Sequence, residues 1–503
     1  MTLNDIVALG PFIAAVAVAL AVLVVDIAVP GRKTPVLVVS LGGLAIVAAL
    51  TLTTGQAVVG GDGTRQVLAF GGAYVVDGLT TFLDLIFVGI VAFTIVFAPD
   101  YLEARGLPLA EFVIVLLFAM TGAMLISASA DLLVLFVALE LMVLPGYMLA
   151  GYHKTDGYST EGAIKYFLLG SFSSAIFLFG LAFVWGMTGT TRIADVADAL
   201  AALTAGGNVS AGLAMGLALL TAGVAFKIAA VPFHYWTPDA YQGSPTPVTG
   251  YLSVGPKVAA FALSLRLFVE ALGPLQGDIV NVVIILSTLT MTLGNLVAIT
   301  QDNIKRMLAY SSIAHTGYMM VGLAAYGAAP AGSPAAEQGL QGLLFYSVAY
   351  AFMNIGAFAV VTALQGRPGV TSQISSFAGL GRRAPLAGAV MTLFLLSLTG
   401  IPPTAGFFAK ALVILAAVEA GGWASVLAVI AVLNAAIAAF YYLRVVVYMY
   451  MREAPADAKP LSDSWPLRLG LVVAAIGTLV LGIVPGLLLP TTQAAAQVLL
   501  LVP

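Results

Sequence analysis

The amino-acid sequence predicts an all-α polytopic membrane protein, on three grounds. Apolar residues make up 61% of the chain and charged residues 9%, where soluble domains carry roughly 25% charged, and the mean hydropathy is +1.06. Runs of about twenty apolar residues, the length a helix needs to cross a bilayer, recur from end to end. The basic residues between those runs crowd onto alternate loops, the asymmetry expected when spans are counted correctly.

With boundaries at Gly, Pro or charge, about fourteen transmembrane helices can be placed: residues 5–29, 34–53, 79–98, 110–129, 131–150, 160–184, 211–231, 247–270, 278–300, 304–325, 339–364, 385–418, 424–450 and 467–487. Met1 to Asp5 carries no Lys or Arg and the run behind it exceeds twenty residues, so the first segment is expected to be a retained span, not a cleaved signal. The seventh span runs into the polar segment Pro232 to Pro247, and the twelfth is too long for one straight crossing and contains Pro402-Pro403. Residues 57–78, Gly-rich with an alternating Arg65 to Phe70 stretch, suit a small extracytoplasmic hairpin. Residues 186–210 and 326–338 read as loops, and no separate soluble domain is expected.

With the N-terminus outside, eleven basic residues share one side: Arg32, Lys33, Arg105, Lys154, Lys305, Arg306, Arg367, Arg382, Arg383, Arg452 and Lys459. The other side holds only Arg65 and Arg192, so both termini are expected to face away from the cytoplasm. Arg266, Arg444 and Arg468 lie near span ends, where long side chains snorkel.

The absence of cysteine argues against an iron–sulphur cluster held by this chain. Its three histidines, His153, His234 and His315, lack metal-ligand spacing. No phosphate-binding glycine motif occurs, and the glycine pairs around Gly60 and Gly71 belong to a turn-rich loop. A net charge of −3 without a basic stripe gives no sign of nucleic-acid binding.

Five ionisable residues stand deep in apolar runs: Glu140, Lys165, Lys227, Lys257 and Lys410. Each costs about 2.5–3.5 kcal/mol at a bilayer centre, so an uncompensated set would burden the fold by about 12–18 kcal/mol. Groups kept at that cost line polar paths, pair with each other, and carry ions or protons. Glu140 lies nine residues past Asp131, about 13.5 Å along a helix and so near mid-membrane. Lys227 comes just before a proline break, and Glu140 is its natural partner, because opposite charges about 4–6 Å apart favour both ionised forms. Lys257 stands behind Gly255-Pro256 with no acidic neighbour in sequence; a buried lysine without a counter-ion loads and unloads its proton more readily. Lys410 is the matching residue of the second half. Lys165 lies close enough to a span end either to snorkel or to join the path. His234, in Pro232-Phe-His-Tyr-Trp-Thr-Pro238, and His315, in Ser311-Ser-Ile-Ala-His-Thr-Gly317, either relay protons or are simply hydrogen-bonded in polar, aromatic surroundings.

Lys227 precedes Pro232 by five residues, while Lys410 follows Pro402-Pro403 by seven, and the two helices cross in opposite directions. Interrupted helices paired between two halves point to inverted repeats with a site at mid-membrane; two unrelated proline kinks are the alternative. The expected repeats are helices four to eight and nine to thirteen, with helices seven and twelve broken. The chain then divides into residues 1–109 (helices one to three with the hairpin), 110–277 (first repeat), 278–450 (second, inverted repeat) and 451–503 (a loop and helix fourteen).

The stretches Leu139-Glu140-Leu-Met, Lys227-Ile-Ala-Ala-Val-Pro-Phe-His234, Trp236-Thr-Pro-Asp-Ala-Tyr241 and Gly400-Ile-Pro-Pro-Thr-Ala-Gly-Phe-Phe-Ala-Lys410 together resemble the antiporter-like membrane subunits of complex I, over roughly residues 75–450. The resemblance implies that Glu140 is the helix-five glutamate, Lys227 its helix-seven partner, Lys257 the central helix-eight lysine and Lys410 the terminal lysine of broken helix twelve. One branch of the family bears a long C-terminal lateral helix, for which the roughly fifteen residues past helix fourteen leave no room. Another carries a glutamate where Lys410 stands.

The family works in the bacterial inner (plasma) membrane, in a complex that passes electrons from NADH through FMN and iron–sulphur clusters to a quinone. The resemblance implies that those cofactors sit in partner subunits. This chain would hold none of them, and would translocate protons beside neighbouring antiporter-like and small subunits, among lipids. A change arriving from those neighbours would alter the Glu140–Lys227 pairing, and Lys227 would pass its proton to Lys257 and on to Lys410. Three alternatives stand beside this: a subunit of a multisubunit sodium/proton antiporter, which shares the motifs; a stand-alone transporter of an organic solute; and a membrane anchor, against which the central charges argue.

Overall fold

The computed structural model describes residues 3–59, 66–207, 209–366, 371–455, 459–462 and 464–500. The chain runs through α1 (Leu3–Ala8), α2 (Gly10–Ala28), α3 (Lys33–Val59), a hairpin of β1 (Val67–Ala69) and β2 (Tyr74–Val76), α4 (Gly78–Glu103), α5 (Leu109–Ser127), α6 (Leu132–Ala150), α7 (Gly157–Thr188), α8 (Ile193–Thr204) and α9 (Ala211–Lys227). It continues with α10 (Trp236–Gly243), α11 (Thr246–Ser264, prolonged by π-helical turns over Leu265–Ala271), α12 (Gln276–Ile299), α13 (Ile304–Ala328), α14 (Pro334–Gln365) and α15 (Leu380–Arg383). The last helices are α16 (Pro385–Thr399), α17 (Ala405–Ala420), α18 (Gly422–Met451), α19 (Trp465–Ile483) and α20 (Leu489–Leu500).

Eleven helices among the described residues are long and apolar enough to cross a membrane: α2 to α7, α11 with its π-helical end, α12, α14, α18 and α19. Two expected spans arrive in pieces, as α9 with α10 and α16 with α17. A third, α13, has 25 residues but is made polar by Lys305, Arg306, Ser311, Ser312, His315 and Thr316.

The polar content sorts inward. Helix α11 is buried along its whole length and α13 and α14 nearly so, and α13 packs against α12, α14 and α17. Outside them, α2, α7 and α18 show exposed Ile27, Phe172 and Val429, the apolar exterior that a lipid solvent matches. Helix starts are capped: Asp77 accepts from Thr80 N–H (2.7 Å), Asp131 from Leu133 N–H (2.8 Å), and Asn303 from Lys305 N–H (3.0 Å). Each cap satisfies a donor that would otherwise be orphaned.

Several expected boundaries shift. The hairpin narrows to β1 and β2, antiparallel with Val67 opposite Val76, and α3 runs on to Val59, past the expected end at 53. Gly60, Arg65 and Arg367 lie outside the described residues. Residues 186–210 are not all loop, because α8 buries Ile193, Val196, Ala197 and Leu200 along one face. That spacing is helical, but at 12 residues the helix is too short for a search tuned to membrane-length runs. For the same reason α20 was not expected beyond helix fourteen.

Candidate proton path

Both broken helices end in one backbone device. At the end of α9, Ala230 N–H donates to Ala225 O (2.7 Å) and Ala229 N–H to Phe226 O (3.0 Å). At the end of α16, Ile401 N–H donates to Leu396 O (3.0 Å) and Gly400 N–H to Ser397 O (3.0 Å). This Schellman arrangement needs a left-handed residue just past the helix. Gly400 adopts it at φ +94° without a Cβ penalty, whereas Ala229 adopts it at φ +60°, at a cost of roughly 1–2 kcal/mol.

What meets the remaining carbonyls differs. Lys410 Nζ, on α17, donates to Leu398 O (2.9 Å) and Thr399 O (2.7 Å), so an ammonium sits at the negative end of α16. At α9, Ile228 O accepts from Thr316 Oγ1 of α13 (2.8 Å) and Phe226 O from Trp236 Nε1 (3.1 Å). Lys227 itself turns to Ser174 Oγ of α7 (2.8 Å).

From the centre of the bundle to the second break runs an unbroken series of contacts. Lys257 Nζ donates to Ser312 Oγ (2.6 Å) and to the Ser312 carbonyl, and lies 5.7 Å from the centre of the Tyr350 ring. That ring is 5.0 Å from His315, one turn beyond Ser312 on α13. His315 Nδ1 shares a hydrogen bond with Tyr346 OH (2.7 Å) and Nε2 one with Tyr442 OH (3.3 Å); Ser311 also bonds Tyr442. Tyr318, its ring 5.8 Å from His315, in turn faces Lys410, whose Nζ is 4.5 Å from the ring centre. Lys257, His315 and Lys410 are 2%, 1% and 5% exposed. Their partners are hydroxyls, carbonyls and aromatic faces, neutral groups that solvate a charge without pairing it; of these groups only the hydroxyls and the imidazole can relay a proton.

Glu140 is placed differently. Leu133, Val137, Leu144 and Met148 of α6 are exposed at helical spacing, and Glu140, half-buried, falls on that same outward stripe. Its Oε1 is buried without a hydrogen-bond partner. Glu140 acts on Lys227 electrostatically, while the hydrogen bond of Lys227 goes to Ser174.

His234 is buried in the turn between α9 and α10, stacked on Tyr235 at 4.6 Å, its Nδ1 without a partner. Lys165 lies at a half-open end of α7, 43% exposed, paired with Glu161 (2.6 Å) and Asp239 (2.7 Å). Arg306 also reaches Asp239 (2.6 Å), tying α7, α10 and α13 together outside the Lys257–Lys410 series.

Two charges were misplaced by sequence reasoning. Lys305, counted among loop residues, is 3% exposed and donates to Gln242 O (2.9 Å) and Ser244 O, so it caps α10 much as Lys410 caps α16. Arg266, expected to snorkel, is 1% exposed. Its guanidinium bonds Asp77 (2.8 Å), Glu270 (2.5 Å), Thr80 Oγ1 (3.1 Å) and Ser127 O (2.8 Å), while Ser127 Oγ donates to buried Asp84 (2.7 Å). The cause is tertiary: the end of α11, Leu265–Ala271, is covered by α8 and α20, and the guanidinium meets the start of α4 and the end of α5 instead of headgroups. Among the described residues no cluster of three potential metal ligands occurs.

Interrupted helices, lysines at or beside the breaks, and a buried histidine–tyrosine series define an antiporter-like membrane subunit. The chain belongs to the family described as NADH:quinone oxidoreductase/Mrp antiporter, TM, which matches residues 129–437. It is 41% identical to NADH-quinone oxidoreductase subunit N of Trichlorobacter lovleyi, over 95% of this chain and 94% of that one. It is 37% identical to the subunit N of Rhodospirillum rubrum, over 99% of both. Among solved structures it is similar to a chain of respiratory complex I from Thermus thermophilus with bound Aureothin, at 33% identity and TM-score 0.78, covering 95% of this chain and 98% of that one. A chain of the Mrp complex from Dietzia sp. shares the fold at TM-score 0.83 and 24% identity, covering 99% and 100%.

Proposed function

We infer that the chain is a proton-translocating membrane-arm subunit of NADH:quinone oxidoreductase, a multi-pass protein of a bacterial respiratory complex. The observation that carries this reading is the contact series from Lys257 through Ser312, Tyr350, His315 and Tyr318 to Lys410. A chain so equipped moves charge and does no redox chemistry; NADH, FMN, iron–sulphur clusters and quinone would belong to partner subunits.

In this proposal Glu140, on an outward face, senses a neighbouring subunit, and its position biases the proton on Lys227. Lys227 exchanges with Lys257, His315 carries the step toward Lys410, and Lys410 releases it. On this reading bridging water completes the path beside Glu140 Oε1, His234 Nδ1, Thr237 Oγ1 and Tyr350 OH, buried atoms without a hydrogen-bond partner, since buried polar atoms nearly always have one. Lys165 stays outside it.

Counting α13 and the two broken pairs beside the eleven apolar helices makes fourteen crossings. The inverted repeats then run α5 to α11 and α12 to α18, supported by the matching Schellman ends of α9 and α16, with boundaries near residues 110, 278 and 451. Both termini would face away from the cytoplasm. The basic ends are linked on one side by Lys33 to Glu103, Arg105 to Gln365 O and Arg383 to Lys459 O.

The test is Lys257→Ala in the whole complex, reconstituted in liposomes. Assembly should be retained and proton pumping should fall at least tenfold; normal pumping would remove Lys257 from the path. The antiporter alternative shares the family and the fold, whereas the relatives matched along nearly the whole chain at 37–41% identity are subunits N. Isolation from native membranes together with a sodium/proton antiporter assembly, and without redox subunits, would favour it.

A further inference from the structure

A cavity of about 760 Å³ opens between the start of α16 and the start of α19, away from the proton path. Three basic residues stand among its lining, Arg383, Lys459 and Arg468. Its remaining wall is largely apolar, with Val390 and Leu386 on α16 and Leu471 and Val472 on α19.

The polarity is graded along the helices. Arg383 closes α15 just ahead of α16; Val390 lies five residues past Pro385, where α16 begins, about 7.5 Å along it, and Val472 lies four residues past Arg468, about 6 Å along α19. The charges therefore form a rim and the apolar groove descends from it. A soluble anion would use the rim alone, whereas a phospholipid uses both. Arg383 is held as part of the wall by donating to Lys459 O (3.1 Å) and Ser376 O (2.8 Å). Its Nε is buried without a partner.

We propose that this cavity binds one anionic phospholipid, its phosphate against Arg383 at the basic rim and an acyl chain lying in the groove between α16 and α19. Basic pockets between membrane helices on the positively charged side select such headgroups. The bound lipid braces α16, the half-helix whose far end holds Lys410. The inference is independent of the relay: lipid binding can fail while pumping stands.

The test uses the intact complex, stripped of lipid in neutral detergent and returned to bilayer discs of phosphatidylcholine with a photoactivatable phosphatidylglycerol, crosslinks being mapped on this subunit. Labelling of the α16 and α19 segments by phosphatidylglycerol should exceed that by the matching phosphatidylcholine probe. Arg383→Gln should weaken it about fivefold, the effect of one lost charge near a membrane surface, and Arg383→Lys should restore most of it. Val390→Trp, which fills the groove and leaves the rim, should abolish labelling while the complex still assembles. Equal labelling by both lipids would overturn the proposal. So would displacement of the probe by inorganic phosphate alone, or crosslinks showing a neighbouring subunit's side chain in the groove.

Discussion

Lys257 and Arg266 lie nine residues apart on one buried helix, each 2% exposed or less, yet they are held in opposite ways. Lys257 meets a serine and an aromatic face. Arg266 meets two carboxylates directly, with a third, Asp84, on the serine beside it. A guanidinium does not give up its proton in a protein, and acids on two sides fix it further, so the Arg266 cluster is a lock. The ammonium of Lys257 meets neutral acceptors, with no counter-ion among the described residues to hold its charge, which suits the station proposed for it. Burial alone therefore does not separate the two; the partner does.

The comparison is broken most forcefully by Arg266→Ala, which leaves Asp77 and Glu270 buried without their cation. Losing one partner of a buried pair costs about 3–5 kcal/mol, so the subunit should be missing from the assembled complex, as read on native gels. Normal assembly and thermal stability would show that the cluster is no lock. The next effect in size is at the second break. In Gly400→Ala a Cβ at φ +94° would lie 2.9 Å from Lys410 Cδ, costing roughly 1–3 kcal/mol in backbone strain and moving the lysine from its carbonyls. Pumping should drop several-fold with assembly preserved, and unchanged pumping would show that Lys410's position is not critical.

Glu140→Gln sharpens the comparison at the outward face. Removing the charge while keeping the shape should lower coupled pumping about fivefold, the lower end of typical coupling between sites; activity equal to wild type would make the charge dispensable. Lys165→Ala should do least. Its charge is half-open to solvent and paired on the surface, where ion pairs contribute little, so stability and pumping should match wild type. A loss like that of Lys257→Ala would put Lys165 on the path after all.

Much of this was legible in sequence for a specific reason. A charge or a proline inside an apolar run is conspicuous wherever the chain folds, so Lys227, Lys257, Lys410 and the breaks near Pro232 and Pro402 could be read directly. Arg266 could not. Near the end of a run it resembles any snorkelling arginine, and its partner Asp77 stands 189 residues away in sequence. Lys305 was lost among loop charges because nothing local shows that Gln242 O and Ser244 O come to meet it. The Ser174 partner of Lys227 is equally invisible locally, because spacing along a helix reports depth in the membrane and not which neighbouring helix a side chain meets.

What the sequence determined by itself is where the chain enters and leaves the apolar phase and where its helices break, since transfer free energy sums over neighbouring residues and a proline acts within one turn. What only the tertiary structure decided is which buried charges meet carboxylates and which meet neutral acceptors. That depends on acceptors brought from distant helices, and no local sum contains them.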